Sequence, residues 1–537
     1  MPTVSSVIVN NIRLPIDASF KEAFSVARDR LSELNISCSL ENCKIYKKSV
    51  DAREKNNITF VYSVCVTGLS HLPNEKRLSQ HGIASYIEAK PQAVIGEEKL
   101  FERPVVVGTG PCGLFAALLL AENGYMPLVL ERGGSITERK RAVEALNKFG
   151  ILDEDTNIQF GAGGAGTFSD GKLVTRINDP FSSYVLDRLI EFGAPEEIRY
   201  AAKPHIGTDI LTGIVEKILD RIASLGAQIM YHTKFLGLIS EGGRVKGIRT
   251  SKGEMPAGAV ILAVGHSARD TYLSLMNDGT ELLAKPFSVG MRIEHLTEDI
   301  DKAMYGSFAG HEALGHAEYA LSYNTKVRGV YTFCMCPGGV VVPAASEAGG
   351  VVVNGMSEHK RDGRNSNSAV VCSIFREDYG ATPLGAIEFQ RKIERAAFKH
   401  GGGNYTAPMI TVGDFLNDKK EKEPGRVMPS YRNGQVRLAS PYDYLPGFVC
   451  DNIKNALLSF DKKISGFGAA DAVLTGAETR TSSPVRILRD NETGLAAGYG
   501  NFYPAGEGAG YAGGITSAAI DGMRAALKLI KKYKPFR

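Results

Sequence analysis

A chain of 537 residues is long enough for two or three domains, each burying its own core. With 43% hydrophobic and 23% charged residues the composition is ordinarily globular, and a net charge of +4 is too small to mark the whole chain as a nucleic-acid or membrane-surface protein. Eight cysteines with no CxxC pair read as reduced thiols, which excludes a disulfide framework or a zinc site. Neither a leader pattern nor a run of about 18 apolar residues appears, so the expectation is a cytoplasmic protein without a membrane span.

Residues 1–95 alternate strand-like and helical patterns: SVIVNNIRLPI, then the amphipathic SFKEAFSVARDRLSELN, then CKIYKKSVDAREKNNITFVYSVCVTG. They predict a small ferredoxin-like α+β module. Lys44, Lys47, Lys48, Arg53 and Lys55 surround Tyr46. This basic segment reads either as a contact for RNA or an acidic partner, or as a charged edge strand that resists aggregation, and the second reading is preferred. Residues 91–103 resemble a linker.

Residues 102–285 open with VVVGTGPCGLFAALLLAENGYMPLVLE, a strand, a glycine turn, a helix and a second strand ending in an acid. That order predicts a nucleotide-binding βαβ unit. Gly108 permits the tight turn, Gly110 lets backbone approach a pyrophosphate, and Gly113 lets the helix pack on the strand, with Pro111 and Cys112 opening that helix at the phosphates. Glu131 stands where a carboxylate accepts from a ribose diol and repels a 2′-phosphate, which selects FAD or NAD. Arg132 follows it. Arg139 reads equally as a pyrophosphate partner and as an exposed helical arginine. In NIQFGAGGAGTFSDGKL, Gly161, Gly163, Gly164 and Gly166 would let backbone pass a cofactor while Ser169 and Lys172 supply polar contacts, the alternative being a mobile loop. Further on, ILTGIVEKILDRIASLGAQIMYHTKFLGLISEGGRVKGIRT predicts a helix followed by short strands, and VILAVGHSARDTY a strand that ends at Gly265.

Residues 286–495 are predicted to form an inserted α+β substrate domain. Cys334 and Cys336, two apart on a predicted strand, would face the same way and either form a redox pair or pack as two buried free thiols. Arg292 with Glu294 and His295, and Arg480 with Thr481 and Ser482, are candidates for gripping a substrate carboxylate; His205 is equally ambiguous.

Residues 496–537 return as NFYPAGEGAGYAGGITSAAIDGMRAALKLI. This short strand, glycine turn and closing helix resemble the C-terminal segment of glutathione-reductase-like flavoproteins, which favours FAD over NAD. Gly506, Glu507 and Gly508 would contact the ribityl or phosphate part, with Glu507 standing where aspartate is more usual. Gly513, Gly514 and Ile515 would start a helix whose positive end favours an anionic reduced flavin.

Taken together, VVVGTGPCGLFAALLLAENG, FGAGGAGTFSDGKL, AVGHSARDTY, FCMCPGG, GAETRTSSPVRI and YPAGEGAGYAGGITSAAIDG resemble the bacterial FAD-dependent, or NAD(FAD)-utilizing, dehydrogenases over nearly the whole chain. The resemblance implies an α/β fold: a discontinuous Rossmann-like FAD-binding domain of glutathione-reductase type, an inserted α+β domain and the small N-terminal α+β domain. It further implies an oxidoreductase that exchanges a hydride between flavin and an unidentified small-molecule substrate. Since a second GxGxxG unit is missing, NADH or NADPH would serve at most as a transient donor. The rival readings are an RNA-binding or RNA-modifying flavoprotein and a flavin sensor without turnover.

Overall fold

The computed structural model describes residues 5–175 and 179–536. Its organising layer is a five-stranded parallel sheet in the order Phe502–Pro504, Ala259–Leu262, Pro104–Val107, Leu128–Leu130, Gln228–Met230. Every residue of Pro104–Val107 and Ala259–Leu262 is buried. Parallel strands are covered on both faces and therefore carry unbroken rather than alternating apolar runs. The strand at one edge comes from the far end of the chain. The sheet thus gathers the ends of three distant segments at its C-terminal rim.

The helix Pro111–Glu122 buries every residue from Cys112 to Ala121. A helix apolar on all sides needs cover on all sides. It receives this from the sheet and from the closing helix Ile515–Lys532, whose Gly522 lies against the Cys112 backbone. A Cβ at Gly522 would overlap the Cys112 carbonyl, with the carbonyl carbon at 2.8 Å. We expect Gly522→Ala to cost about 3 kcal/mol, the upper part of the overpacking range, because backbone rather than a side chain must move. A thermal melt against wild type measures it.

A seven-stranded sheet forms the second layer, ordered Ser322–Asn324, Gly329–Cys336, Asn365–Ile374, Phe287–Leu296, Val473–Glu478, Ala407–Thr411, Val436–Leu438. All its pairs are antiparallel except the last. At the N-terminus, Cys43–Asp51, Thr59–Leu69, Ser5–Pro15 and Ile83–Tyr86 form, in that order, an antiparallel sheet. The helix Phe20–Ser32 buries Ala23, Ala27 and Leu31. One apolar core runs through this module and the seven-stranded sheet.

Part of the basic segment is bound internally, while Lys44, Lys47 and Lys55 stand exposed. Lys48 exchanges backbone hydrogen bonds with Tyr200 and Ala202, and its ammonium lies 3.8 Å from the Phe60 ring centre, where burial lowers its pKa. Arg53 and Arg13 both pair with Asp51 at 2.6 Å, and Tyr46 packs edge-on against Tyr86. Lys48 therefore joins the module to the rest of the protein instead of standing in solvent. Among the described residues no helix is long and apolar enough to cross a membrane.

Candidate active site

One cavity of about 440 Å³ spans the gap between the rim of the parallel sheet and the seven-stranded sheet. Its near wall is made of turns: Val107 to Cys112, Glu131 and Arg132, Gln159 to Gly161, Gly164 to Gly166, Ala263 to Ala268, and Gly513 to Ile515. The far wall comprises Tyr319, Thr332 to Met335, Glu478 and Arg480.

The glycines at the near wall do separate work. A Cβ at Gly113 would overlap the Gly108 carbonyl oxygen, and one at Gly164 would stand 2.7 Å from the Gly110 Cα, so helix, turn and loop touch through backbone alone. Gly265, Gly513 and Gly514 line the cavity with nothing within 4 Å of an added Cβ. Their missing side chains are what keep that space free. The helices Pro111–Glu122 and Ile515–Lys532 both begin here, at Gly110 and Gly514, without a side-chain cap. Unpaired backbone N–H groups and the positive ends of two helices therefore face one cavity, an environment suited to phosphate and to an electron-rich ring. A cradle of this shape and donor set fits a flavin dinucleotide.

Several predicted contacts serve the walls themselves. Glu131 accepts from Thr109 N and Oγ1 at 3.0 and 2.5 Å and from Gly133 N and Gly161 N at 3.0 Å each. Those four bonds use the lone pairs expected to meet a ribose, so Glu131 clasps two turns together. Arg139 is fully buried and outside the cavity, donating to the carbonyls of Asn157, Ile158 and Ala162 at 2.6 to 2.8 Å. It is neither an exposed arginine nor a phosphate partner; it shapes the 157–162 loop. Arg132 does line the cavity, 4.1 Å above Phe160 and paired with Asp270 at 2.6 Å. Ser169 spends its hydroxyl on Gly166 O at 2.7 Å and Gly171 N at 3.0 Å. Lys172 faces the cavity from between Asp170 and Glu318, at 3.0 and 3.3 Å. Gly163, Gly506 and Gly508 shape turns behind the wall, against Thr167, Cys112 and Gly265 respectively.

Several expectations about the far wall change. Arg292 is wholly buried, bonded to both oxygens of Glu478 at 3.0 and 3.1 Å, to Asn367 and Asn354, and to the Cys334 carbonyl at 3.0 Å. No donor is left for a substrate carboxylate. Arg480 reaches the cavity with its Nε and Nη2 on Glu394 and its Nη1 on Ser346, so it lines the site as half of a buried ion pair. His295 lies away from the cavity, its Nε2 2.8 Å from Phe467 O and its ring packed on Phe467. Its neighbour Glu294 is bonded to Ser430 and Asn365, Thr481 to Ser288 O, and His205 stacks on His359. A register shift between Phe333 and Cys336, with Cys334 at φ 47°, breaks the alternation of the strand that carries Cys334 and Cys336, and both thiols are free. Cys334 lines the cavity and Cys336 is buried behind it.

The sequence profile described as "FAD-dependent protein, C-terminal domain-like" matches residues 286–481. An uncharacterized protein of Clostridium beijerinckii is 44% identical over 535 residues, which is 98% of this chain and 99% of that protein. The chain belongs to this family of FAD-dependent proteins. FAD is its cofactor. A digeranylgeranylglycerophospholipid reductase of Methanocaldococcus jannaschii is 37% identical over 90 residues, 16% of this chain and 23% of that one. Among solved structures, an L-proline dehydrogenase from P. horikoshii covers 82% of this chain and 96% of its own at 13% identity and a TM-score of 0.35.

In this flavoprotein the cavity also contains groups that the motifs did not single out. His266, directly after Gly265, is pushed down to about 3 by burial and then by Arg480, Arg269 and Lys285, so it is a neutral imidazole bonded to Ser267 Oγ at 2.9 Å. Glu478 stands two residues before Arg480 in GAETRTSSPVRI. Lys203 and Glu318 come from loops with no local signature. Glu507 is driven the other way: burial raises its carboxyl to about 7, against the pull of Lys285 and with a further push from Cys334. A carboxyl poised near neutrality in a closed space exchanges protons readily.

Proposed function

We propose that this chain exchanges a hydride between FAD and a small molecule seated against the far wall, in the glutathione-reductase-type arrangement. On this reading residues 102–285 and 496–537 hold the cofactor, residues 286–495 supply the substrate side, and residues 1–95 brace them. The observation that carries it is the continuity of one cavity from the Gly108 to Gly113 turn to Thr332, Phe333 and Cys334. Bound FAD supplies a two-electron acceptor and donor.

The chain's own residues do the rest. The N–H groups opening Pro111–Glu122 would hold the phosphates of FAD, and those opening Ile515–Lys532 would favour negative charge on its ring. The Glu131 clasp and the Arg139 brace fix the loops between them, so the cradle is rigid before anything binds. Lys172 and Lys203 bring cationic character to the substrate end. A nicotinamide, lacking a glycine turn of its own, enters as a transient donor. We place the protein in the cytoplasm, with a small molecule as its partner.

Anaerobic mixing of the flavin-loaded protein with NADH, NADPH and a panel of alcohols, amines and 2-hydroxy acids tests the reading. At least one class should bleach the flavin, and an added acceptor should restore its colour. If none does, the protein holds FAD without turnover and the proposal fails.

A further inference from the structure

Most polar side chains that line the cavity are spent inside its walls. Glu131 is taken up by the donors of Thr109, Gly133 and Gly161, Glu478 by Arg292, Glu318 by Arg361 and Tyr319 by Ser368. His266 is different. Only one of its ring nitrogens is engaged among the described residues, and the hydrogen bonds behind it fix which nitrogen carries the proton.

Those bonds form a chain anchored at a backbone carbonyl, which can only accept. Gln159 Nε2 donates to Ala344 O at 3.4 Å, so the Gln159 amide turns its Oε1 toward Ser267. Reversing the amide would set one acceptor against another. Oε1 in turn takes the single hydroxyl proton of Ser267, at 3.1 Å. With that proton spent, the 2.9 Å contact between Ser267 Oγ and His266 Nδ1 is a hydrogen bond only if Nδ1 carries hydrogen and donates it. Gln159 and Ser267 are both buried, so the chain is closed to water. Burial, then Arg480, Arg269 and Lys285, against Glu394 alone, keep the ring neutral with this one proton. Nε2 is therefore a bare lone pair. It bonds to nothing among the described residues and is not sealed off, so its open edge belongs to the cavity that His266 lines.

A lone pair in a closed space needs a donor. Phosphate oxygens are acceptors, so the pyrophosphate of FAD is turned away from the Gly265 and His266 turn and left to the N–H groups that begin the helix at Gly110. The polar hydrogens of FAD lie elsewhere, on its ribityl and ribose hydroxyls, its adenine amine and the N–H of its ring. Resting on the placement of FAD given above, we propose that His266 is a cofactor-binding residue held as the Nδ1–H tautomer, whose Nε2 accepts a hydrogen bond from an O–H or N–H group of FAD. Ser267 and Gln159 are positioning residues that set the tautomer and the plane of the ring. Because their chain ends in an amide, which passes no proton on, it orients the imidazole and relays nothing. The contact sets how far along the cavity the dinucleotide lies.

Nitrogen NMR of protein labelled at histidine, with and without FAD, reads the tautomer directly, and His266→Gln identifies the signal. At neutral pH Nδ1 should show the shift of a protonated ring nitrogen and Nε2 that of an unprotonated one, and FAD should move the Nε2 signal. Ser267→Ala should release the constraint and give a mixture of both tautomers. In titrations of the apoprotein, His266→Phe should weaken FAD binding about tenfold, as for one lost hydrogen bond. His266→Gln, whose amide oxygen can accept in place of Nε2, should return to within about threefold of wild type. ADP carries ribose and adenine but no flavin. An equal loss for ADP puts the contact in the adenosine half, and a loss for FAD alone puts it in the flavin half. A proton found on Nε2 overturns the assignment, as does an Nε2 signal that FAD leaves unmoved or a His266→Phe protein with full affinity. Any of these leaves flavin reduction, and with it the proposed reaction, standing. Flavin that no donor reduces removes that reaction and leaves the tautomer and the FAD titrations as stated. Should His266→Phe fail to fold, the wild-type spectra still decide.

Discussion

Gly110→Val should give a folded protein that retains no FAD. An added Cβ at Gly110 meets its nearest neighbour, the Gly164 Cα, at 3.8 Å, so the branch point itself is tolerated by the fold. The two γ-methyl groups then extend into the space between the first turn and the 164–166 loop, where backbone N–H groups face the cavity. A phosphate that needs to lie against that backbone loses its hydrogen bonds and meets apolar surface instead. We expect affinity for FAD to fall at least a hundredfold, on the order of 3 kcal/mol. Circular dichroism should be unchanged, whereas added FAD should no longer raise the melting temperature as it does for the wild type. Gly113→Ala should behave differently, since its methyl group overlaps the Gly108 carbonyl and the helix can no longer pack. The contrast separates the glycine that admits a ligand from the one that admits a helix. A yellow Gly110→Val protein would remove the near wall from the cofactor site.

Local spacing made the glycine turns legible, because each job of Gly108, Gly110 and Gly113 is set within one βαβ unit. The same holds for the turn at Gly513 and Gly514 that begins the last helix. What the sequence could not give was the destination of side chains whose partners lie far along the chain. Arg139 is a helical arginine by any local measure, yet the 157–162 loop folds over it and bonds each of its three nitrogens. Arg292 and Arg480 belong to a group of residue types that grip carboxylates, and they do so, but the carboxylates are Glu478 and Glu394 of this same chain. Alternation along a strand predicted one face for Cys334 and Cys336; a single register shift, invisible in FCMC, breaks that alternation, and of the two Cys334 lines the cavity. Local pattern thus located the cavity, and long-range pairing decided which groups in it are free.

The same pairing makes Glu394 the residue whose loss should cost the fold most. Its carboxylate, 2% exposed, accepts from Arg269 at 2.7 and 2.8 Å, from Arg480 at 3.1 and 3.2 Å and from Thr479 at 2.6 Å. Arg269 has a second acid in Glu347, but that residue is shared with Arg391. In Glu394→Gln two buried guanidinium groups face each other across a neutral amide. Breaking one side of a buried ion pair typically costs about 3 to 5 kcal/mol, because the remaining charge keeps its desolvation penalty and loses its partner. Urea denaturation at pH 7 should show a midpoint shift of that size, and since Arg480 lines the cavity, FAD retention should fall with it. The pH dependence has a definite sign. Burial alone would raise this carboxyl, yet Arg269 and Arg480 outweigh burial and hold it far below the ordinary glutamate value. A depressed pKa contributes stability in full above the unfolded value, near 4.3, and loses it as pH falls toward the folded one. The gap between wild type and Glu394→Gln should therefore stay constant from neutral pH to about 5 and close only in stronger acid. A gap that instead closed between pH 7 and 5 would mean that Glu394 takes up its proton near neutrality, and that the two arginines do not hold it as the geometry requires.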